Sequence, residues 1–313
     1  MYLAHYGFKQ APFNLAPDPD SLYLSEKHSL GLSLLQYGLS ESVGGLTVIT
    51  GAVGAGKTTL LRKLLQQLDY QRLTVGVINN TFNLDGKLIH WVVSAFNLPY
   101  EGRDSLALFR EFQQYLINQY AQGKITVLIV DEAQNLNDKA LEELRLLTNI
   151  NAERDQLLKI VLLGQPELLE LLSQPRLSQI AQRVSVEYHL EPLNRIDTRN
   201  YIHHRLEKAG GKPDIFSDTA CDVIYCLSGG VPRLINTLCD YALVYGFARG
   251  LDKIGFNAVL ESAKGRRLGG INYHNRNNPA VKEVRDAIIS ERGIDLDALF
   301  PRQNTAATSP IDQ

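Results

Sequence analysis

The sequence is poor in cysteine, in charge imbalance and in long apolar runs, and each shortage removes a class of protein. Its three cysteines in 313 residues, Cys221, Cys226 and Cys239, lack the paired spacing of a zinc site. Two fall on one expected helix and the third on the next, among apolar neighbours. Buried thiols are therefore expected, and a disulfide framework is not. A formal net charge of −2 excludes strong overall attraction to nucleic acid or to an anionic membrane, while leaving room for a local basic patch. No apolar stretch approaches the ~20 residues of a transmembrane helix. The start carries His5, Lys9, prolines and acids and does not resemble a signal peptide. A cytoplasmic chain is expected, with no integral membrane segment and access to a membrane only through partners.

What is present is an ordinary globular composition, 44% hydrophobic and 21% charged, with length enough for two folded units and no internal repeat. Residues 1–28 are rich in aromatics and turn formers. Pro17-Asp18-Pro19 cannot be helical, so an extended strap lying on a surface is expected there. A helix over 27–42 follows, stopped by Gly44-Gly45. Short apolar runs at 46–50, 74–78, 125–130, 158–163 and 184–189 then alternate with helical periodicity at 58–68, 86–96, 104–120, 137–148 and 166–172. Strands that are apolar throughout and separated by helices predict a parallel sheet covered on both faces. Beyond Glu191 the strands cease, and helices are expected over 195–209, 217–227, 232–248 and 257–264. The domain reading is a strap (1–28), an α/β core (29–190), a helical lid (191–264) and an extension (265–313) with one helix at 279–292.

Two motifs carry chemistry. Gly51-Ala52-Val53-Gly54-Ala55-Gly56-Lys57-Thr58 matches the phosphate-binding loop pattern after a strand and before a helix. Its glycines let backbone N–H groups converge on phosphate oxygens at a helix N-terminus, with Thr59 in the first turn. Lys57 is placed to reach the β- and γ-phosphates of ATP, and the Thr58 hydroxyl to ligate Mg²⁺. The second motif is the strand Val127–Val130 delivering Asp131 and Glu132 at its C-terminal end. Asp131 is the candidate second Mg²⁺ ligand, and Glu132 the group that orients and deprotonates the attacking water.

This ordering resembles the AAA+ ATPases, which implies an αβα P-loop core with a C-terminal all-α lid domain. The resemblance also implies further site residues. Gln165, in Gly164-Gln165-Pro166-Glu167, falls where that family places its first sensor; an ordinary loop residue is the other reading. Arg183 resembles the arginine finger that completes a neighbouring subunit's site, with Arg176 as competitor. Arg233, in Gly229-Gly230-Val231-Pro232-Arg233, resembles the second sensor arginine.

The strap residues Tyr2, Tyr6-Gly7-Phe8, Pro12-Phe13, Pro17-Asp18-Pro19 and Tyr23-Leu24, followed by His28, narrow the resemblance to ExeA-type ATPases, the general secretion pathway protein A group, which includes a pilus-biogenesis ATPase. So do Asp131-Glu132-Ala133-Gln134-Asn135-Leu136 and Pro232-Arg233-Leu234-Ile235-Asn236. In that group Pro12, Phe13 and Tyr23 are implied to cover the adenine; packing of the strap onto the core is the alternative. The transmembrane helix and peptidoglycan-binding region of the secretion members have no expected counterpart in residues 265–313. The resemblance implies a homo-oligomer that energises assembly of a secretion or pilus system. A second resemblance, to transposition-regulator ATPases of the TniB and TnsC type, implies DNA and a transposase as partners. Arg266, Arg267, Arg276, Lys282 and Arg285, against Glu283 and with Tyr273 and His274 interleaved, form a stretch suited to phosphate contacts or to a solvated tail.

Overall fold

Five apolar runs pair side by side into one parallel sheet. In the computed structural model, which describes residues 1–16, 18–40, 43, 45–79, 88–152, 155–264 and 278–300, the strands are β1 (Leu46–Gly51), β2 (Leu73–Ile78), β3 (Ile125–Val130), β4 (Leu158–Gly164) and β5 (Val184–Leu190). Their spatial order is β2-β3-β4-β1-β5, with every pairing parallel. The helices are α1 (Glu26–Leu39), α2 (Lys57–Gln67), α3 (Leu88–Ala95), α4 (Ser105–Ala121), α5 (Asp138–Leu147) and α6 (Glu167–Leu172), then α7 (Arg195–Lys208), α8 (Asp218–Ser228), α9 (Pro232–Ala248), α10 (Phe256–Lys264) and α11 (Pro279–Arg292). Gly86, the expected start of α3, lies outside the described residues.

The period-2 alternation of a strand explains why the central strands β1, β3 and β4 are buried on both faces. The edge strand β5 departs from the expected continuous apolar run and exposes Ser185, Glu187 and His189. Leu128 and Val130 join a cluster with residues of α3, α4 and α5, whereas Val127 and Ile129 join one with residues of α1 and α2. Both faces are covered, so a polar side chain there is costly unless it finds a partner. Lys159 of β4 is such a case: it is buried, and its ammonium donates to the carbonyls of Ser40 (2.5 Å) and Val43.

The chain divides into two compact units, Pro17–Glu191 and Met1–Ala16 with Pro192–Gln313. The strap expected over 1–28 is therefore shared between two bodies. Its first part is less extended than the prolines suggest: Tyr2–His5 forms a helical turn, and Tyr6, Phe8, Pro12 and Phe13 are buried within the helical unit. The Tyr2 hydroxyl donates to Asp240 at 2.6 Å, and the buried Arg205 guanidinium donates to the carbonyls of Pro12 (2.7 Å) and Asn14 (3.2 Å). The Phe13 ring meets Phe216 edge-on at 6.0 Å. Phe13→Ala is expected to cost the helical unit about 3–5 kcal/mol, read as a lower denaturation midpoint for that unit.

The three cysteines are buried, and burial pushes the Cys221 and Cys226 thiols up to about 12 and Cys239 well above its usual value. The extension helix α11 belongs to the same unit, with Val281, Val284, Arg285 and Ile288 inward. This corrects the basic stretch: Arg285 is buried, and its Nη1 donates to both Asp297 carboxylate oxygens at 2.9 Å, so it offers no charge to a polyanion. Lys282 is exposed, while Arg266, Arg267, Tyr273, His274 and Arg276 lie outside the described residues.

Candidate functional site

The C-terminal edge of the sheet brings the two motifs and β4 together. β1 runs into the loop 52–56 and β3 into Asp131-Glu132, with β4 lying between them and leading into Gln165. Gly54 (φ 80°) and Gly56 (φ 104°) take the left-handed backbone that a side chain disfavours. Gly51 is needed for space instead, since a Cβ there would sit 2.7 Å from the Leu190 carbonyl oxygen of β5. Ala55 is buried beneath the loop, while Val53 is exposed at its tip; Ala52 and Thr59 are half-buried.

Lys57, the first residue of α2, folds back across the loop. Its ammonium donates to the carbonyls of Gly51 (2.7 Å) and Ala52 (3.1 Å) and is 6% exposed. Burial pushes its pKa down, against the opposing pull of Glu132, Asp131 and Glu167. Thr58 Oγ1 donates to Asp131 Oδ2 at 3.1 Å. These two oxygens are donors of the hard type that suit Mg²⁺. Burial pushes the Asp131 carboxyl up, while the Glu132 N–H (2.9 Å) and the Thr58 hydroxyl pull it back.

Glu132 is one of two described non-glycine residues with positive φ (54°), a conformation that costs on the order of 1 kcal/mol and often marks a working site. Its carboxylate Oε2 accepts from the side-chain amides of Gln134 (2.6 Å) and Gln165 (3.3 Å). Gln134 also accepts the Gln165 backbone N–H at 3.0 Å, so one amide ties the end of β3 to the tip of β4. Gln134 is absent from the residues the sequence singles out for chemistry; its only signal is its place in the Asp131–Leu136 segment.

His28 is a second residue of this kind. It is buried in the first turn of α1, with Nδ1 2.8 Å from Ser25 Oγ and Nε2 3.2 Å from the Ala55 carbonyl oxygen. Pro19–Ser21 packs against α2, and Tyr23 is half-buried in this unit.

The remaining candidates belong to other elements. Arg183 precedes β5 and donates to the Thr148 carbonyl (3.0 Å) and to Asn149 Oδ1. Arg176 forms a surface ion pair with Asp138. Pro12 and Phe13, read from the sequence as cover for a base, are packed inside the helical unit, where Phe13 serves the core beside Phe216. Arg233 is exposed in the first turn of α9 in that same unit.

Residues 40–172 match the family model described as the AAA domain. The chain is 44% identical over 255 residues to General secretion pathway protein A of Aeromonas hydrophila, a match taking in 81% of this chain and 46% of that protein. It thus spans about half the length of that curated relative. Among solved structures, the Aeropyrum pernix ORC2 protein in its ADPNP–ADP complexes is similar at TM-score 0.63 and 18% identity, over 95% of this chain and 87% of that one. The Thermotoga maritima RuvB Holliday junction branch migration motor is similar at TM-score 0.53 and 18% identity, over 92% and 84%. These two likenesses show the fold.

Proposed function

Since the chain is an AAA+ ATPase similar to general secretion pathway protein A, we propose that it binds and hydrolyses ATP as an oligomer to energise assembly of a secretion or pilus system. Hydrolysis is supported above all by Glu132, a carboxylate turned into place by a strained backbone and held by two glutamine amides. Backbone N–H groups of the loop and the Lys57 ammonium bind the phosphates. Thr58 and Asp131 would hold Mg²⁺, which draws charge off the β- and γ-phosphate oxygens when bound. Glu132 takes a proton from water as the water oxygen bonds to the γ-phosphorus. The bond from that phosphorus to the β–γ bridging oxygen breaks, and ADP leaves with that oxygen. Gln134 and Gln165 keep the Glu132 carboxylate in one orientation through this step.

An oligomer is favoured by the position of Arg183. Its carbonyl accepts the Leu46 N–H at the start of β1, about 16 Å from Gly51 at the end of that strand, given ~3.3 Å per residue. Arg183 is thus remote from its own loop, which supports a role toward a neighbouring chain rather than toward its own site. Arg183→Ala should slow turnover about 10³-fold, and mixing it with a Lys57→Ala chain should restore part of the rate in a steady-state phosphate assay. A mixture as inactive as either variant alone would remove the trans role.

The secretion role rests on the 44% identity to general secretion pathway protein A. Supplied with ATP in the cytoplasm, the chain would reach a membrane through partners; among the described residues no helix is long and apolar enough to cross one. The rival reading, a DNA-bound regulator of transposition, is tested by sedimentation with duplex DNA and ATP at moderate salt. The chain is expected to stay in the supernatant, and ATP-dependent pelleting as filaments would overturn the secretion role.

A further inference from the structure

We infer that His28 is a positioning residue for the phosphate-binding loop, setting the direction of the Ala55–Gly56 peptide from the first turn of α1. The inference rests on the nucleotide-binding reading above and assigns that site a residue outside both of its motifs. A carbonyl oxygen only accepts, so the contact of 3.2 Å between His28 Nε2 and the Ala55 oxygen requires a proton on Nε2. In the neutral ring Nδ1 is then the acceptor and takes the Ser25 hydroxyl proton at 2.8 Å. Ser25 Oγ in turn accepts the His28 backbone N–H at 3.3 Å as the cap of α1. Helix cap, ring tautomer and loop carbonyl are thereby linked in one chain of bonds.

The ring has little freedom to leave this position. It is 2% exposed, and a Cβ placed on Gly56 would lie 3.2 Å from Nε2. The turn that carries it is held from the other side, because the Tyr188 hydroxyl of β5 donates to the Lys27 carbonyl at 2.9 Å. Gly31, one turn further along α1, brings the helix close to Leu60 and Tyr188.

The consequence follows from peptide planarity. The described peptides are all trans, so the Ala55 C=O and the Gly56 N–H point in opposite directions across one plane. With the carbonyl directed at His28, the Gly56 N–H is aimed away from α1, as phosphate binding by that loop requires. Glycine at 56 leaves this peptide easy to rotate. A rotated peptide would present a carbonyl oxygen to the phosphates, replacing attraction with repulsion. His28 removes that alternative before a ligand arrives.

Three substitutions separate this role from simple packing. His28→Gln carries an amide donor near the Nε2 position, His28→Asn carries one near Nδ1, and His28→Phe fills the space with no donor. Affinity for ADP is measured by titration on the full chain, with inorganic pyrophosphate as competitor and the melting midpoint of each ligand-free variant alongside. His28→Asn and His28→Phe are expected to weaken ADP and pyrophosphate about tenfold, with His28→Gln staying within about threefold of the parent. Parent-like ADP affinity in His28→Phe and His28→Asn would overturn the inference. So would equal losses in His28→Gln and His28→Asn at matched melting midpoints, since the ring would then matter only as filler. If the parent chain itself binds neither ADP nor ATP, the nucleotide reading fails and this inference with it.

Discussion

Glu132→Gln is expected to retain ATP and to release phosphate about 10²–10⁴ times more slowly than the parent chain, the range a general base contributes. The substitution is nearly isosteric, and its amide oxygen can still accept from Gln134 and Gln165, which donate to Glu132 Oε2 at 2.6 and 3.3 Å. The geometry at the ends of β3 and β4 should therefore persist while proton acceptance is lost. Single-turnover phosphate release read beside ATP affinity distinguishes the outcomes. A slow step with affinity within a few-fold of the parent is the expected pattern. Rapid hydrolysis by the variant would show that another group accepts the proton.

Lys57→Ala is expected to weaken ATP binding by about 10²–10³-fold, the scale of one or two charge-assisted hydrogen bonds. The ammonium sits under the loop, donating to the Gly51 and Ala52 carbonyls, and is close enough to Asp131 and Glu132 for their charges to act on it. Its removal takes away the ammonium that lies across the loop. Alanine is at least as good a helix former as lysine at the start of α2, so the melting midpoint should change little. Fluorescence titration with an ATP analogue reads the loss. Affinity within threefold of the parent would mean that phosphate is held elsewhere.

Much of the fold is legible in the sequence because burial on two sheet faces leaves contiguous apolar runs. Val127–Val130 is the clearest of them, its alternate residues divided between the clusters on the two faces. The loop is equally plain, since Gly54 and Gly56 mark positions of positive φ that few other residues accept. Other features depend on which distant groups meet, and no local pattern records that. The aromatics of residues 1–16 announce burial without naming the body that buries them. Arg285 counts as a basic residue until Asp297 is found beside it. Gln134 reads as one polar residue in a polar turn, and only the folded chain shows its amide joining Glu132 to the tip of β4. His28 is 27 residues from Ala55 along the chain, and only the packing of α1 beside the loop brings them into contact.

The most direct test of the account is phosphate release from ATP by the unaltered chain in the presence of Mg²⁺, measured together with the ATP bound per chain. One ATP per chain is predicted, with phosphate and ADP formed in equal amounts and release abolished by EDTA or by Lys57→Ala. Binding and hydrolysis that survive Lys57→Ala, or a chain that binds no ATP at millimolar concentration, would contradict it.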